Sequence, residues 1–195
     1  MIICSFYARV FSHGGELYAF TRFGDLWKAR DPNNPWENQT NVDIINNGGV
    51  WELISTKSNR WDDVYNPFEA QDMFETGSGI RHLAVGVRGD NIDVFYSLTS
   101  TAPEHIVYSK VDFSSSDIYH LDRATGPISV IKPVYDWEGA DLPINTSTSG
   151  SAMEVHQLRD PYLFTDIDGK DYLLYSTRGE CGIGIVLLSD VFELE

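Results

Sequence analysis

Basic residues are scarce in this chain. Only 14 Lys and Arg stand against 29 Asp and Glu, a formal net charge of −15. A field of that sign repels phosphate backbones and anionic headgroups, so neither nucleic acid nor a membrane surface is an expected partner. A neutral ligand such as a sugar is indifferent to it. Cysteine is scarcer still: Cys4 and Cys181 form no CxxC pair and have no metal-ligand spacing. They read either as two free buried thiols or as one disulfide. No run of about 18 apolar residues exists to form a membrane-spanning helix. The opening residues Met1 to Arg9 lack the length and basic start of a secretion signal, so the expectation is a soluble chain without a visible leader. His13, His105, His120 and His156 show no metal-like spacing. Asp166-Asp168-Gly169 lacks the closing Glu of a calcium loop. There is no phosphate-binding Gly loop and no Gly-x-Ser-x-Gly elbow. No metal or cofactor is expected.

What the chain does contain is β-type sequence punctuated by turns. At 195 residues it is long enough for one domain with a substantial core, so residues 1–195 are read as a single domain. Leu17-Tyr18-Ala19-Phe20, Val94-Phe95-Tyr96-Ser97 and Leu173-Leu174-Tyr175-Ser176 recur about 77 to 79 residues apart. Each lies in a unit of the same form: a strand, a Gly-containing turn, an aromatic strand, a loop, a third strand and an acidic stop. Val50 to Ile54 and Ile128 to Ile131 supply outer strands to the first two units. Residues from about Ser55 to Ser78 read as a loop with one helical turn, its Trp61, Tyr65 and Phe68 covering a core edge. A repeated meander of three or four strands is the mark of a β-propeller. The expected fold is therefore all-β and propeller-like, with three recognisable blades; an ordinary antiparallel sandwich is the alternative.

In a propeller the first strand of each blade lies nearest the axis, and antiparallel strands reverse at each turn. The start of the first strand and the loop between the second and third strands then share one face. That face should carry Arg9, Arg81-His82 and Arg159-Asp160, with Pro103-Glu104 and Gly179-Glu180 on the surrounding loops. Pro161 cannot donate a ladder hydrogen bond, which places it at the first residue of its strand, with Arg159 and Asp160 at the mouth. Asp168-Gly169 is a hairpin-turn signal. A separate segment, Tyr135 to Pro143, holds Trp137, Glu138 and Asp141 beside Gly139. Glu138 and Asp141 enter the site from this connection, and Trp137 offers a flat face on which a sugar ring could stack.

Arg159-Asp160-Pro161, the apolar strand after it, and Asp168-Gly169-Lys170-Asp171-Tyr172-Leu173-Leu174-Tyr175-Ser176 resemble the five-bladed β-propeller glycoside hydrolases. That group includes the invertase and levansucrase type and the arabinanase and xylosidase type. The resemblance implies five blades, of which three are recognisable here, so residues 1–195 are expected to be either a partial or a shortened member of the group. It also implies that Asp160 holds sugar hydroxyls and steadies the transition state, with Arg159 as its partner. Glu138-Gly139 is similar to the Glu-Gly pair that carries the general acid in arabinanase-like members. The Asn-Asp-Pro nucleophile motif of the invertase type does not occur near this N-terminus.

Glycoside cleavage needs an acid and a second carboxylate. Glu138 beside apolar Trp137 suits a carboxyl of raised pKa, and Asp160 beside Arg159 suits one kept ionised. Asp141 is the nearby candidate for the second carboxylate. Arg81, His82, Arg159, Trp137 and Glu180 are the expected substrate contacts. Each also has a plainer reading: Arg159-Asp160 as an ion pair and strand cap, Glu138 and Asp141 as solvated loop acids, His82 as a satisfied structural group. The expectation is thus a glycosidase acting on carbohydrate, against a non-catalytic carbohydrate-binding propeller or an interaction propeller without a small ligand.

Overall fold

In the computed structural model, the described residues are 7–29, 51–55, 68, 79–122, 124–147 and 153–192. The fold is all-β and antiparallel. A first sheet holds β1 (Arg9–His13), β2 (Glu16–Phe20), β3 (Leu26–Ala29) and β4 (Trp51–Ser55) in that order. A second holds β5 (Ile80–Arg88), β6 (Asn91–Leu98), β7 (Ile106–Asp112) and β8 (Ile128–Ile131), again in chain order. A third holds β9 (Arg159–Thr165), β10 (Asp171–Thr177) and β11 (Gly182–Leu187). The three repeated meanders fall where the sequence pattern puts them. The third differs in having three strands among the described residues: β11 runs straight into a short helix, Leu188–Phe192.

The second sheet is the central layer. Side chains alternate between the faces of a strand, and β5 and β6 are apolar on both. Leu83, Val94 and Tyr96 join Phe11, Tyr18, Phe20 and Leu26 of the first sheet in one core. Ala84 and Phe95, the intervening positions, join Leu158, Leu173 and Tyr175 in another. Phe113 meets the rings of Phe11 and Tyr18 edge-on at 5.6 and 5.5 Å, a geometry that adds to the area it buries. The first strand of the central sheet, β5, packs against both β1 and β9. The strand starts carrying Arg81 and Arg159 are thereby neighbours.

Of the aromatic segment before the second unit, Phe68 is fully buried in the first core; Trp61 and Tyr65 lie outside the described residues, as does Cys4. Cys181 is a free thiol on the surface rather than a buried one, because it sits in the β10–β11 turn. Among the described residues, no helix is long and apolar enough to cross a membrane.

Candidate functional site

The start of β9 departs from the expected arrangement. Arg159 and Asp160 lie inside the strand, not before it. The register slips by one residue between Leu174 and Ser176 of β10, and Asp160 takes a left-handed φ of 49°. A bulge is one of the few places a strand tolerates Pro, so the extra residue accommodates Pro161. It also turns the Asp160 side chain away from the ladder. Positive φ is costly for a non-Gly residue, and Asp160 meets that cost with specific partners. Ser176 Oγ donates to its Oδ2 at 3.1 Å. His82 Nδ1 lies 2.7 Å from its Oδ1, an ion pair by distance without hydrogen-bond alignment. Tyr7 meets the His82 ring edge-on at 4.4 Å.

Burial pushes the Asp160 carboxyl up. The His82 contact and charge, the Ser176 hydroxyl and the Arg81 charge outweigh it and hold the carboxyl below its ordinary range. Its side chain remains 38% exposed. The result is an ionised carboxylate, fixed in place and open to a ligand.

Beside it lies a buried charge cluster joining two sheets. Glu104, on the β6–β7 loop, is fully buried. Its Oε2 lies 3.3 Å from Arg81 Nη1 and 3.2 Å from Arg159 Nε. Ser97 Oγ donates to its Oε1 at 2.7 Å. Glu180, on the β10–β11 loop, accepts from Arg159 Nη1 at 3.3 Å and lies 4.0 Å from Arg81 Nη2. Gln157 Oε1 accepts from Arg159 Nε at 3.1 Å and from its Nη2. Two backbone bonds fix the loops: Leu158 N to Glu104 O and Gly179 N to Gln157 O, both 2.9 Å. Arg81, His82, Glu104, Arg159, Asp160 and Glu180 therefore meet at one end of the sheets, as the topology requires. Arg9 starts β1 and donates to Ala8 O at 3.2 Å.

The Trp137–Asp141 segment is built differently. Glu138 closes the 3₁₀ turn Asp136–Glu138 and is only 2% exposed. Its Oε2 accepts from the backbone N–H of Val134 at 2.9 Å and of Tyr135 at 3.1 Å, a capping box. Tyr175 Oη donates to its Oε1 at 2.9 Å. Burial, the hydrogen bond to Glu138 and its charge push the Tyr175 phenol up. Gly139 ends the turn at φ 99°. A Cβ there would lie 2.7 Å from Val155 O, so the Glu138-Gly139 pair has a backbone requirement of its own. Tyr175 and Ser176 are consecutive on β10 and project to opposite faces. Glu138 and Asp160 thus contact opposite faces of that strand.

Asp141 accepts from Arg178 Nη1 at 2.8 Å, and Arg178 also pairs with Glu154 at 3.2 Å. Trp137 is 52% exposed and stacks on Tyr135, with centroids 5.9 Å apart and planes 9° from parallel.

Sequence reasoning did not assign Gln157, Ser97, Ser176, Tyr175 or Arg178. A signal existed for the serines: Ser97 and Ser176 hold the same place in two repeats, and each donates to a site carboxylate. At the opposite end of the sheets, Arg88, Asp93, Lys170 and Asp171 line a further cavity. Its Arg88 is engaged by Asp93 at 3.6 Å and by Asp171. Asp166 Oδ1 there accepts from the Asp168 and Lys170 N–H groups, both at 2.9 Å. Among the described residues no cluster of His, Cys, Asp and Glu is placed to hold a metal.

No family model matches this chain. It is 32% identical over 193 residues to an uncharacterized protein of Acanthamoeba polyphaga mimivirus, a match covering 98% of this chain and 48% of that protein. The chain therefore spans about half the length of the curated relative it matches. Among solved structures, the alpha-L-arabinanase of Cellvibrio cellulosa is similar at a TM-score of 0.46 and 17% identity, over 92% of this chain and 52% of that one. A thermostable family-43 glycoside hydrolase is similar at 0.44 and 15%, over 88% and 41%.

Proposed function

We propose that this protein is carbohydrate-active, a propeller-like relative of glycoside hydrolases in which Asp160 holds sugar hydroxyls and Arg159 steadies the frame around it. The observation carrying this reading is the state of Asp160: ionised, 38% exposed, fixed by His82 and Ser176, and mounted on a buried two-arginine cluster. A carboxylate held open in this way is set to accept hydrogen bonds from hydroxyl groups. Charge of that sign also stabilises a developing oxocarbenium ion. The Arg159-Asp160-Pro161 resemblance points the same way. In the hydrolytic reading Glu138 is the acid, Asp141 the second carboxylate, Trp137 a stacking platform, and Arg81, His82 and Glu180 line the substrate path.

One observation favours a second reading, non-catalytic sugar binding. Glu138 is buried and accepts three hydrogen bonds, so donating a proton to a glycosidic oxygen requires its release from Tyr175 first. Turnover separates the two. Wild type, Asp160→Asn and Glu138→Gln are incubated with a panel of aryl glycosides and unmodified oligosaccharides, and released sugar is quantified. Hydrolysis predicts release that falls by about 100-fold or more in each variant. Binding without release supports the second reading, and neither binding nor release rejects both.

A further inference from the structure

Arg9, Arg81 and Arg159 hold the same position in the three repeats, at the start of each unit's first strand. Arg81 and Arg159 are neutralised by Glu104 and Glu180. Arg9 pairs with no carboxylate among the described residues; its Nη1 donates to Ala8 O at 3.2 Å. Its Nε is enclosed by protein and has no acceptor. A guanidinium carries five N–H donors, and an enclosed donor without a partner is rare enough in a folded protein to need an explanation. Phe20, opposite Arg9 in the ladder, stands where the other two units have Ser97 and Ser176, each of which donates to a site carboxylate. The first unit thus keeps the arginine of that set without the serine. Arg9 shares a strand face with Phe11, two residues on, and Phe11 lies in the core between the first two sheets. The guanidinium is therefore on the side of β1 that faces β5, whose start carries Arg81 and His82.

Tyr7 stands two residues before Arg9. It meets His82 edge-on at 4.4 Å between ring centroids, and His82 lies 2.7 Å from Asp160, so the Tyr7 ring borders the Asp160 mouth. Its φ is 58°, a left-handed conformation that is uncommon for a bulky residue and concentrates at ligand sites. The ring stays 43% exposed. A flat apolar face beside hydrogen-bonding groups is what a sugar ring recognises. Trp137 belongs elsewhere: it rises from the turn whose Glu138 meets the opposite face of β10. We propose that Tyr7 and Arg9 form a second sugar subsite beside Asp160, with the Tyr7 ring as stacking platform and the Arg9 guanidinium as donor to hydroxyl and ring oxygens. The ligand is then a neutral oligosaccharide of at least two units. Asp160 holds one ring, and the next stacks on Tyr7 and accepts from Arg9. This inference rests on the sugar reading and adds to it the chain length that the site selects.

The test is calorimetric titration of the 195-residue chain with glucose, xylose, mannose and arabinose and with the di- and trisaccharides of each. Wild type should bind at least one oligosaccharide about fivefold or more tighter than its monosaccharide. Tyr7→Ala and Arg9→Gln should each lower that oligosaccharide's affinity about two- to tenfold while the monosaccharide's changes less. Tyr7→Phe keeps the ring and should recover most of the loss. Equal losses for monosaccharide and oligosaccharide overturn the inference, because Tyr7 then only props His82. So does Asp160-dependent sugar binding that neither folded variant changes, and that result leaves the sugar reading standing. A wild-type chain that binds none of these sugars removes the sugar reading and the inference with it. The ratio of oligosaccharide to monosaccharide affinity is read on unmodified protein, so a ratio near one overturns the inference even where a variant fails to fold.

Discussion

His82 and Asp160 hold the same position in two successive repeats, each following an arginine, and their side chains meet 2.7 Å apart across two sheets. The repeat thus places an imidazole where its neighbour has a carboxylate and brings the two together at the mouth. We predict that His82→Gln raises the Asp160 carboxyl toward its ordinary value near 3.9, because burial is then opposed by less. A carboxylate held below its ordinary pKa contributes stability that is present above about pH 4 and lost as pH falls through the folded value. The acid limb of the stability curve should therefore be steeper in wild type than in Asp160→Asn. Carboxyl carbon shifts followed through a pH titration measure the first effect, and urea melts at several acid pH values the second.

Glu104 is the hub between Arg81 and Arg159, with all three side chains 4% exposed or less. Removing one member of a buried ionic group leaves the others uncompensated. Glu104→Ala should cost about 3–5 kcal/mol, and Glu104→Gln less, since the amide oxygen still accepts from Ser97. Chemical denaturation of both variants checks the order.

Tyr175 joins the core of the third sheet to Glu138. Tyr175→Phe removes a hydrogen bond to a carboxylate and should cost about 1.5–3 kcal/mol. The raised phenol pKa gives the sign of the pH effect. Its contribution is fully present below about pH 10 and is lost as pH rises toward the folded value, so wild type should show an alkaline destabilisation that the variant lacks in part. Tyr108, pushed up by burial and by its bond to Asp93, contributes to the same limb. Ultraviolet titration of phenolate against melting temperature reads it.

Trp137→Ala should leave stability nearly unchanged, because half of the side chain is already in solvent. If a sugar ring stacks on it, affinity should drop by about 0.5–1.5 kcal/mol, roughly two- to tenfold. Calorimetric titration of wild type and variant with the same oligosaccharide decides this.

The strands and their repetition were legible because period-two apolar patterning and Gly turns are local signals. The clustering of Arg81, Glu104, Arg159 and Glu180 followed from topology alone, since strand starts and second-loop residues must share an end. The bulge at Asp160 was not legible: Pro161 signals a break in pairing, but only the cross-strand register shows that the break lies within the strand. Glu138 was misjudged as a solvated loop acid in its plainer reading. Its burial depends on Tyr175, 37 positions away, and no local pattern records that contact. Asp141 is tied to Arg178, which follows β10 and carried no motif.

The most direct test of the account is sugar binding by the intact chain with and without the Asp160 charge. Wild type and Asp160→Asn are titrated with a panel of neutral oligosaccharides by calorimetry, after circular dichroism has shown the same fold. The account predicts that wild type binds at least one sugar and that Asp160→Asn loses about tenfold or more in affinity, the worth of a charge-assisted hydrogen bond. A wild-type chain that binds no sugar, or a variant that binds as tightly as wild type, contradicts it.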